Sequence, residues 1–452
     1  MHAVTDSPPA DHRSPVTGEA ASPAKVAVST SRWYQRIGPG LITACVVIGP
    51  GSITTSSQVG ARYGYSMLWV VLISVVLMLS YMTMAAKLGV VSGTTPATLI
   101  SRYASRWLAA LIGLCAFFIT AAFQFGNNVG VHAAMAEFKE RFLWIPGLQL
   151  SHLVILFNLL ALSFLFAFEN LYKALERAMM LFVGVMLISF TVNLIYARPN
   201  VGELLRGFIP PVEWLWGNQQ GTAGIDLSLL GLVGTTFVIA GAYYQSYLVQ
   251  QKGWSLKELP SGLLDARVGA VLMMLITVML VATAGGALRG QEITAAGDIA
   301  AGLTVFGTLG RAVFCIGLFS AAYSSFLINS MVGGFLLCDG LGWGSEPRKL
   351  VPRLATATVL VVGMIVALFT IASGKPPMPA IVFGQAVTVI ASPLIAGVLL
   401  WLCNRRDVMG DQHNGWGLNL LGGAGFLMLL AMAAYTAIYK VWPALSPWVQ
   451  AS

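Results

Sequence analysis

The chain has 452 residues, of which 57% are hydrophobic and only 10% charged, with a mean hydropathy of +0.76 and a net charge of +8. That balance excludes a soluble globular domain and marks an integral membrane protein. The basic excess follows from Lys and Arg in the loops, a topogenic signal, so no nucleic-acid partner is expected.

Residues 1–35, with Pro8, Pro9, Pro15 and Pro23 among Ser, Ala and Asp, lack the apolar core of a signal peptide and read as a disordered tail. Stretches free of Asp, Glu, Lys and Arg then follow at 37–61, 63–86, 107–136, 142–168, 178–197, 227–251, 268–288, 312–338, 354–374, 376–404 and 412–439. Each is long enough to cross a hydrocarbon core, which takes roughly 20 residues. The first run contains Ile48-Gly49-Pro50-Gly51-Ser52, which breaks a helix in mid-membrane. Broken backbone at that depth is tolerated only inside protein or along a cavity, and it is where secondary transporters place their solutes.

The third run carries Gln124, Asn127, Asn128 and His132; Gln124, Asn128 and His132 share one helix face. The sixth run opens the second half of the chain, and Ile239-Ala240-Gly241-Ala242 predicts its interruption, with Tyr243, Tyr244, Gln245 and Ser246 next to it. The eighth run holds Tyr323, Ser324, Ser325 and Asn329, and the tenth Gln385 and Thr388. The expected fold is an all-α integral membrane protein of eleven transmembrane helices. Two five-helix inverted repeats, 37–197 and 227–404, form a core over 36–404 with helices 1 and 6 broken, and 412–439 is an additional helix. An N-terminus on the cytoplasmic side puts the larger share of the 26 Lys and Arg inside, which predicts a multi-pass protein of a cell membrane, the inner membrane in a prokaryote.

Cys45, Cys115, Cys315, Cys338 and Cys403 fall in apolar runs without a CxxC pair, so they read as packing residues. Asp226, Asp265 and Asp339 stand at run ends, where capping or the interface accounts for them, and Glu169, Lys173, Glu176 and Arg177 read as an ion-pair face. No nucleophile and base pair, phosphate loop or metal-ligand cluster emerges, so neither an enzyme nor a cofactor is expected. The expected partners are the lipid bilayer and a small-molecule or ion substrate, and the expected state is a monomer.

Gly49-Pro50-Gly51-Ser52 followed by Gln58, Gly60, Ala61, Gly64 and Tyr65, then Leu68-Trp69-Val70-Val71 and Ala86-Lys87-Leu88-Gly89, stand in one order with Gly317-Leu318, Ser324-Ser325, Gly384-Gln385, Pro393 and Arg405-Arg406 through Met409-Gly410. In these motifs the chain, from about Gly38 to Gly410, resembles the NRAMP family of divalent metal transporters and their LeuT-type fold. The departures fall on the family's chemistry. Its metal-binding Asp and Asn of helix 1 correspond to Gly49 and Ser52, and its Met-Pro-His of helix 6 to Val238-Ile239-Ala240. Its proton-route acids correspond to Gln124 and Asn127, a helix-9 arginine to Ala357, and a helix-6 histidine to Gln245. The resemblance therefore implies a secondary transporter with no classical metal ligands and without the usual proton-coupled carriage of bare transition metals.

A small organic acid or a citrate-like metal carboxylate complex fits a pocket stripped of its negative charge. A Mg²⁺-like divalent cation without proton coupling and a non-transporting sensor are the alternatives. The expected substrate-binding residues are Gly49, Ser52, Thr54, Thr55, Asn128, Ala240, Gly241, Tyr244 and Gln385. Gly49 and Gly241 are expected to expose backbone, Ser52, Tyr244 and Gln385 to supply hydrogen bonds, and the amides around Ser52 to Thr55 to present a positive helix end.

Overall fold

Pro50 has no N–H to continue a helix and its fixed φ suits the first position of a new one, so the chain stops and restarts there. In the computed structural model, helix α1 (Pro39–Val47) ends at Ile48, Gly49 lies extended (φ −137°, ψ 178°), and α2 (Pro50–Tyr63) leaves at 59° to α1. The structure describes residues 38–142, 149–167, 171–211, 226–293, 298–299, 307–374 and 377–442, so the tail at 1–35 and Glu169 lie outside it.

The remaining helices are α3 (Leu68–Ser92), α4 (Pro96–Tyr103), α5 (Arg106–Phe142), α6 (Leu150–Ala167), α7 (Leu171–Ala197), α8 (Val201–Arg206), α9 (Leu227–Thr236), α10 (Ile239–Gln251), α11 (Leu259–Ala287), α12 (Gly307–Gly340), α13 (Leu350–Ala372), α14 (Pro377–Asn404), α15 (Arg406–Met409) and α16 (Trp416–Thr436). Among the described residues ten spans are long and apolar enough to cross a membrane, and the bent α1–α2 pair, taken as one span, makes eleven. Each charge-free run carries a helix among the described residues. The seventh starts late because Asp265 and Arg267 lie within α11.

The second interruption is displaced from its expected place. Phe237 (ψ 63°) and Val238 (ψ 89°) leave helical geometry, while Ile239–Ala242 form the first turn of α10. Gly241 is needed for packing there: a Cβ on it would sit 3.0 Å from Val46 Cγ1 of α1. Unlike the first pair, α9 and α10 run on as one span, whose apolar stretch is almost wholly buried.

The four half-helices form the centre. Around them α5 packs along α12, α2 along α11 and α10 along α3, and α16 packs on α14. Leu156 and Leu159 of α6, Ile365 and Phe369 of α13 and Leu427 and Leu430 of α16 turn outward. They form the apolar surface a lipid-facing helix presents.

The end of the bundle where α1 begins is termed proximal, and the end where α2 finishes distal. At the proximal end α1 lies backbone to backbone on α11: a Cβ on Gly40 would be 2.3 Å from the Asp265 carbonyl oxygen, and one on Gly269 2.3 Å from the Gly40 carbonyl oxygen. Neither backbone can yield without moving a helix. Gly269→Ala is expected to destabilise by about 1–3 kcal/mol, the usual cost of overpacking, read as a lower unfolding midpoint in detergent.

The run-end acids do more than cap their own helices. Asp226 precedes α9 but makes no capping bond; its carboxylate takes Arg62 of α2 at 2.7 Å and the Ser228 hydroxyl at 2.5 Å. Asp265 binds the start of α1, and Asp339 binds Tyr247. Glu176 pairs with Lys252 beyond α10, at 2.8 Å, so this acid also ties α7 to the end of α10.

Candidate functional site

At the first break the glycines set the geometry. A Cβ on Gly49 would lie 2.8 Å from Ser325 Oγ of α12 and 3.1 Å from Asn127 Oδ1 of α5, so any side chain there would point at those two groups. The Pro50 ring rests on Gly130 of α5, where a Cβ would come within 2.2 Å of it. A Cβ on Gly51 would be 2.5 Å from Gln385 Nε2, so the Gln385 amide of α14 lies across the first turn of α2.

Gln385 is fully buried, and neither its Oε1 nor its Nε2 has a hydrogen-bond partner; the buried Ser52 Oγ is equally unpartnered. Native proteins rarely leave buried amide groups so, because each costs about 1–3 kcal/mol. Helix geometry adds the N–H groups of Gly51 and Ser52, which have no acceptor within α2 and stand at its positive end. The expected amide cluster is therefore narrower than Ser52 to Thr55. Ile53 N already donates to Gly49 O at 3.0 Å, and Thr54 and Thr55 lie inside the helix. The Thr55 hydroxyl turns back to Gly51 O at 2.9 Å and lies 3.3 Å from Thr235 Oγ1, joining α2 to α9. Thr54 is buried in the same turn.

The expected proton-route positions form a ladder of amides. Gln124 Nε2 donates to Phe326 O of α12 at 2.9 Å, and Asn127 Nδ2 donates to Gln124 Oε1 at 2.6 Å. Asn128 Nδ2 donates to Gln124 O at 2.8 Å and its Oδ1 accepts from Asn158 of α6 at 2.6 Å, which draws Asn128 into the α5–α6 contact. Gln245 Oε1 accepts from Thr43 Oγ1 at 2.5 Å. None of these groups exchanges a proton near neutral pH.

The second break contributes differently from expectation. The Gly241 N–H is bonded to Val238 O at 3.0 Å, so Gly241 offers close packing rather than free backbone, and Ala240 is buried beside it in the first turn of α10. Tyr244 stacks on Tyr247 with centroids 5.8 Å apart and tilts against Phe335 at 6.4 Å. It is held in an aromatic cluster. Gly49, Ser52 and Gln385 thus gather around the first break, with Thr54 and Thr55 in the same helix; Asn128 is engaged by Asn158, while Tyr244 has its ring in the aromatic cluster and its buried hydroxyl unpartnered.

Two wall residues that the sequence shows as in-membrane polar groups are not among the expected substrate-binding residues. Ser325 faces Gly49, and Asn329 donates to Ser325 Oγ at 2.7 Å and to Val46 O at 3.4 Å, leaving its Oδ1 buried and unpartnered. Their spacing of four on one helix face was the available signal.

No charged side chain has a described contact at the break. Among the described residues only Asp265 and Asp339 are buried charges, and no group of three His, Cys, Asp or Glu could hold a metal ion. Above the break, at the distal end, a cavity of about 770 Å³ is lined by Gln58, Arg62, Asp226, Ser228, Gln291 and Glu292 among others. Gln58 lies one turn along α2 from Thr54 and Thr55, and its Nε2 donates to Ile293 O at 3.1 Å. Its lining comes no nearer the break than Gln58 of α2 and Val382 of α14.

Comparison with known proteins matches this architecture. The Nramp family model, natural resistance-associated macrophage protein-like, matches residues 40–439. The divalent metal cation transporter MntH of Deinococcus radiodurans is 25% identical over 414 residues, 88% of either chain. That of Staphylococcus aureus strain Mu3 is 23% identical over 425 residues, 89% of this chain and 90% of its own. In fold, the Eremococcus coleocola manganese transporter aligns with a TM-score of 0.75 at 18% identity, over 91% of this chain and 88% of that one. MhsT in complex with L-phenylalanine aligns at 0.58 and 14% identity, over 87% and 98%. With one family model covering nearly its whole length and a LeuT-type arrangement of broken helices, the chain belongs to the Nramp family of membrane transporters.

Proposed function

We propose that this Nramp-family protein is an alternating-access secondary transporter whose solute is a small organic acid or its metal complex, held at the α1–α2 break by neutral groups. The observation that carries this reading is Gln385: a fully buried amide with both polar atoms unpartnered, lying over the start of α2. A solute carboxylate could accept from Gln385 Nε2, from the Gly51 and Ser52 amides and from the Ser52 hydroxyl, all at a positive helix end. A bare transition metal finds no carboxylate and no thioether here. Neutral oxygens alone offset its dehydration poorly. With amides at Gln124, Asn127 and Gln245, the solute moves without the family's usual proton route. The protein acts as a monomer with its N-terminus in the cytoplasm, so the distal cavity faces outward.

One observation favours a second reading. Gln385 Oε1, Ser52 Oγ and Asn329 Oδ1 are unpartnered acceptors, and the relatives are divalent metal cation transporters by name. Mg²⁺ that keeps its waters could be held by such oxygens. Ligand-dependent unfolding of the purified protein separates the two. Citrate, alone or with a divalent ion, is expected to stabilise saturably, by about 2.7 kcal/mol at a hundred times its Kd. Stabilisation by Mg²⁺ or Mn²⁺ alone, with none from citrate, would reverse the assignment.

A further inference from the structure

The two buried charges among the described residues, Asp265 and Asp339, lie away from the break, and each binds the proximal half of a broken span. Asp265 of α11 accepts the Gly38 N–H through Oδ1 at 2.8 Å and the Gly40 N–H through Oδ2 at 2.6 Å, capping α1 from a different helix. Asp339 of α12 accepts the Tyr247 hydroxyl of α10 at 2.5 Å. The half-helices α1 and α10 are also joined to each other, by the Thr43–Gln245 hydrogen bond at 2.5 Å and by Gly241 packed on Val46. They make one body; two carboxylates fasten it to the scaffold helices α11 and α12, beside the longer Asn329–Val46 bond at 3.4 Å and the bonds of Gln250 to Gly89 O and Thr94 O at the end of α3.

We propose that Asp265 and Asp339 are the two catches of the proximal gate, and that opening it means releasing α1 and α10 together from both carboxylates. Hydrogen bonds to ionised acceptors are roughly twice as strong as neutral ones, and more so where water is excluded. In the closed gate each carboxylate is satisfied by protein; once the half-helices withdraw, water satisfies both the carboxylate and the freed donors. A partial displacement satisfies neither. The arrangement is therefore two-state, with little between latched and released. This inference rests on the transporter reading but not on the identity of the solute.

Cys45 of α1, fully buried and free, is a native reporter. In the full chain with Cys115, Cys315, Cys338 and Cys403 changed to Ala, alkylation of Cys45 by N-ethylmaleimide in nanodiscs is expected to be slow. Asp265→Asn and Tyr247→Phe should each speed it by about tenfold or more, as the loss of a hydrogen bond to a charged group implies. A chain retaining Cys403 alone, buried on α14, should show no such change. An unaltered Cys45 rate in folded Asp265→Asn protein overturns the proposal, as does an equal rise at Cys403, which would indicate general loosening. If Asp265→Asn does not fold, Tyr247→Phe decides alone, since it keeps the ring and removes only the hydroxyl; an unchanged rate there also overturns the proposal.

Discussion

Gln385→Met is expected to make the unliganded protein more stable and to destroy solute recognition. The substitution keeps length and approximate volume while removing two buried polar atoms that have no partners. Relief of an unsatisfied amide amounts to about 1–3 kcal/mol, against a packing change that for similar volumes stays under about 1.5 kcal/mol. Thermal unfolding without solute should therefore move upward, while affinity measured by calorimetry falls tenfold or more. Stability and binding moving in opposite directions is the mark of a group kept for its ligand. If the midpoint falls and affinity is unchanged, Gln385 is a packing residue and the site lies elsewhere.

The second large effect concerns Gly49. Gly49→Asp places a carboxylate against Ser325 Oγ and Asn127 Oδ1, in a buried setting where no cationic side chain has a described contact. An uncompensated buried charge costs on the order of 3–5 kcal/mol, so the variant should unfold well below the parent. Excess Mn²⁺ should recover much of that loss in Gly49→Asp combined with Ser52→Asn, because the new carboxylate then has a charge partner and an amide oxygen beside it. The parent should not respond to Mn²⁺. The measurement is the unfolding midpoint with and without the ion. A doubly substituted protein as stable as the parent in the absence of metal would mean that the pocket is wetter than its burial indicates.

Much of the fold could be read from charge alone, because the bilayer forbids ionised groups where they cannot be paired, so charge-free runs mark spans. The same rule explains the misses. Asp265 and Arg267 cut the seventh run short although both lie inside α11, where two backbone N–H groups of α1 satisfy Asp265. No local pattern shows a cap supplied by another helix. The first break was legible because Pro50 removes a donor at a fixed place; the second was misplaced because Gly241 serves either to unwind a helix or to bring two together, and only the position of Val46 decides.

The candidate site was legible in part for a similar reason. Gly49, Ser52 and Gln385 stand in motifs that the family resemblance marks, and they converge. Asn128 and Tyr244 were chosen for polarity at mid-membrane, which does not say whether a neighbour already uses it; Asn158 takes the Asn128 amide, whereas packing fixes the Tyr244 ring and leaves its hydroxyl unpartnered. Ser325 and Asn329 were visible as polar residues, but their approach to Gly49 depends on how α12 crosses α1.

Uptake by purified protein in proteoliposomes tests the central claim most directly, with Mn²⁺, Mg²⁺ and radiolabelled citrate compared, the last with and without a divalent ion. The account predicts saturable citrate flux, with or without its metal, lost in Gln385→Met, and no flux of either bare ion. Saturable Mn²⁺ or Mg²⁺ flux in the absence of any carboxylate would contradict it, and would mean that hydroxyl, amide and backbone oxygens at the break suffice for a divalent cation.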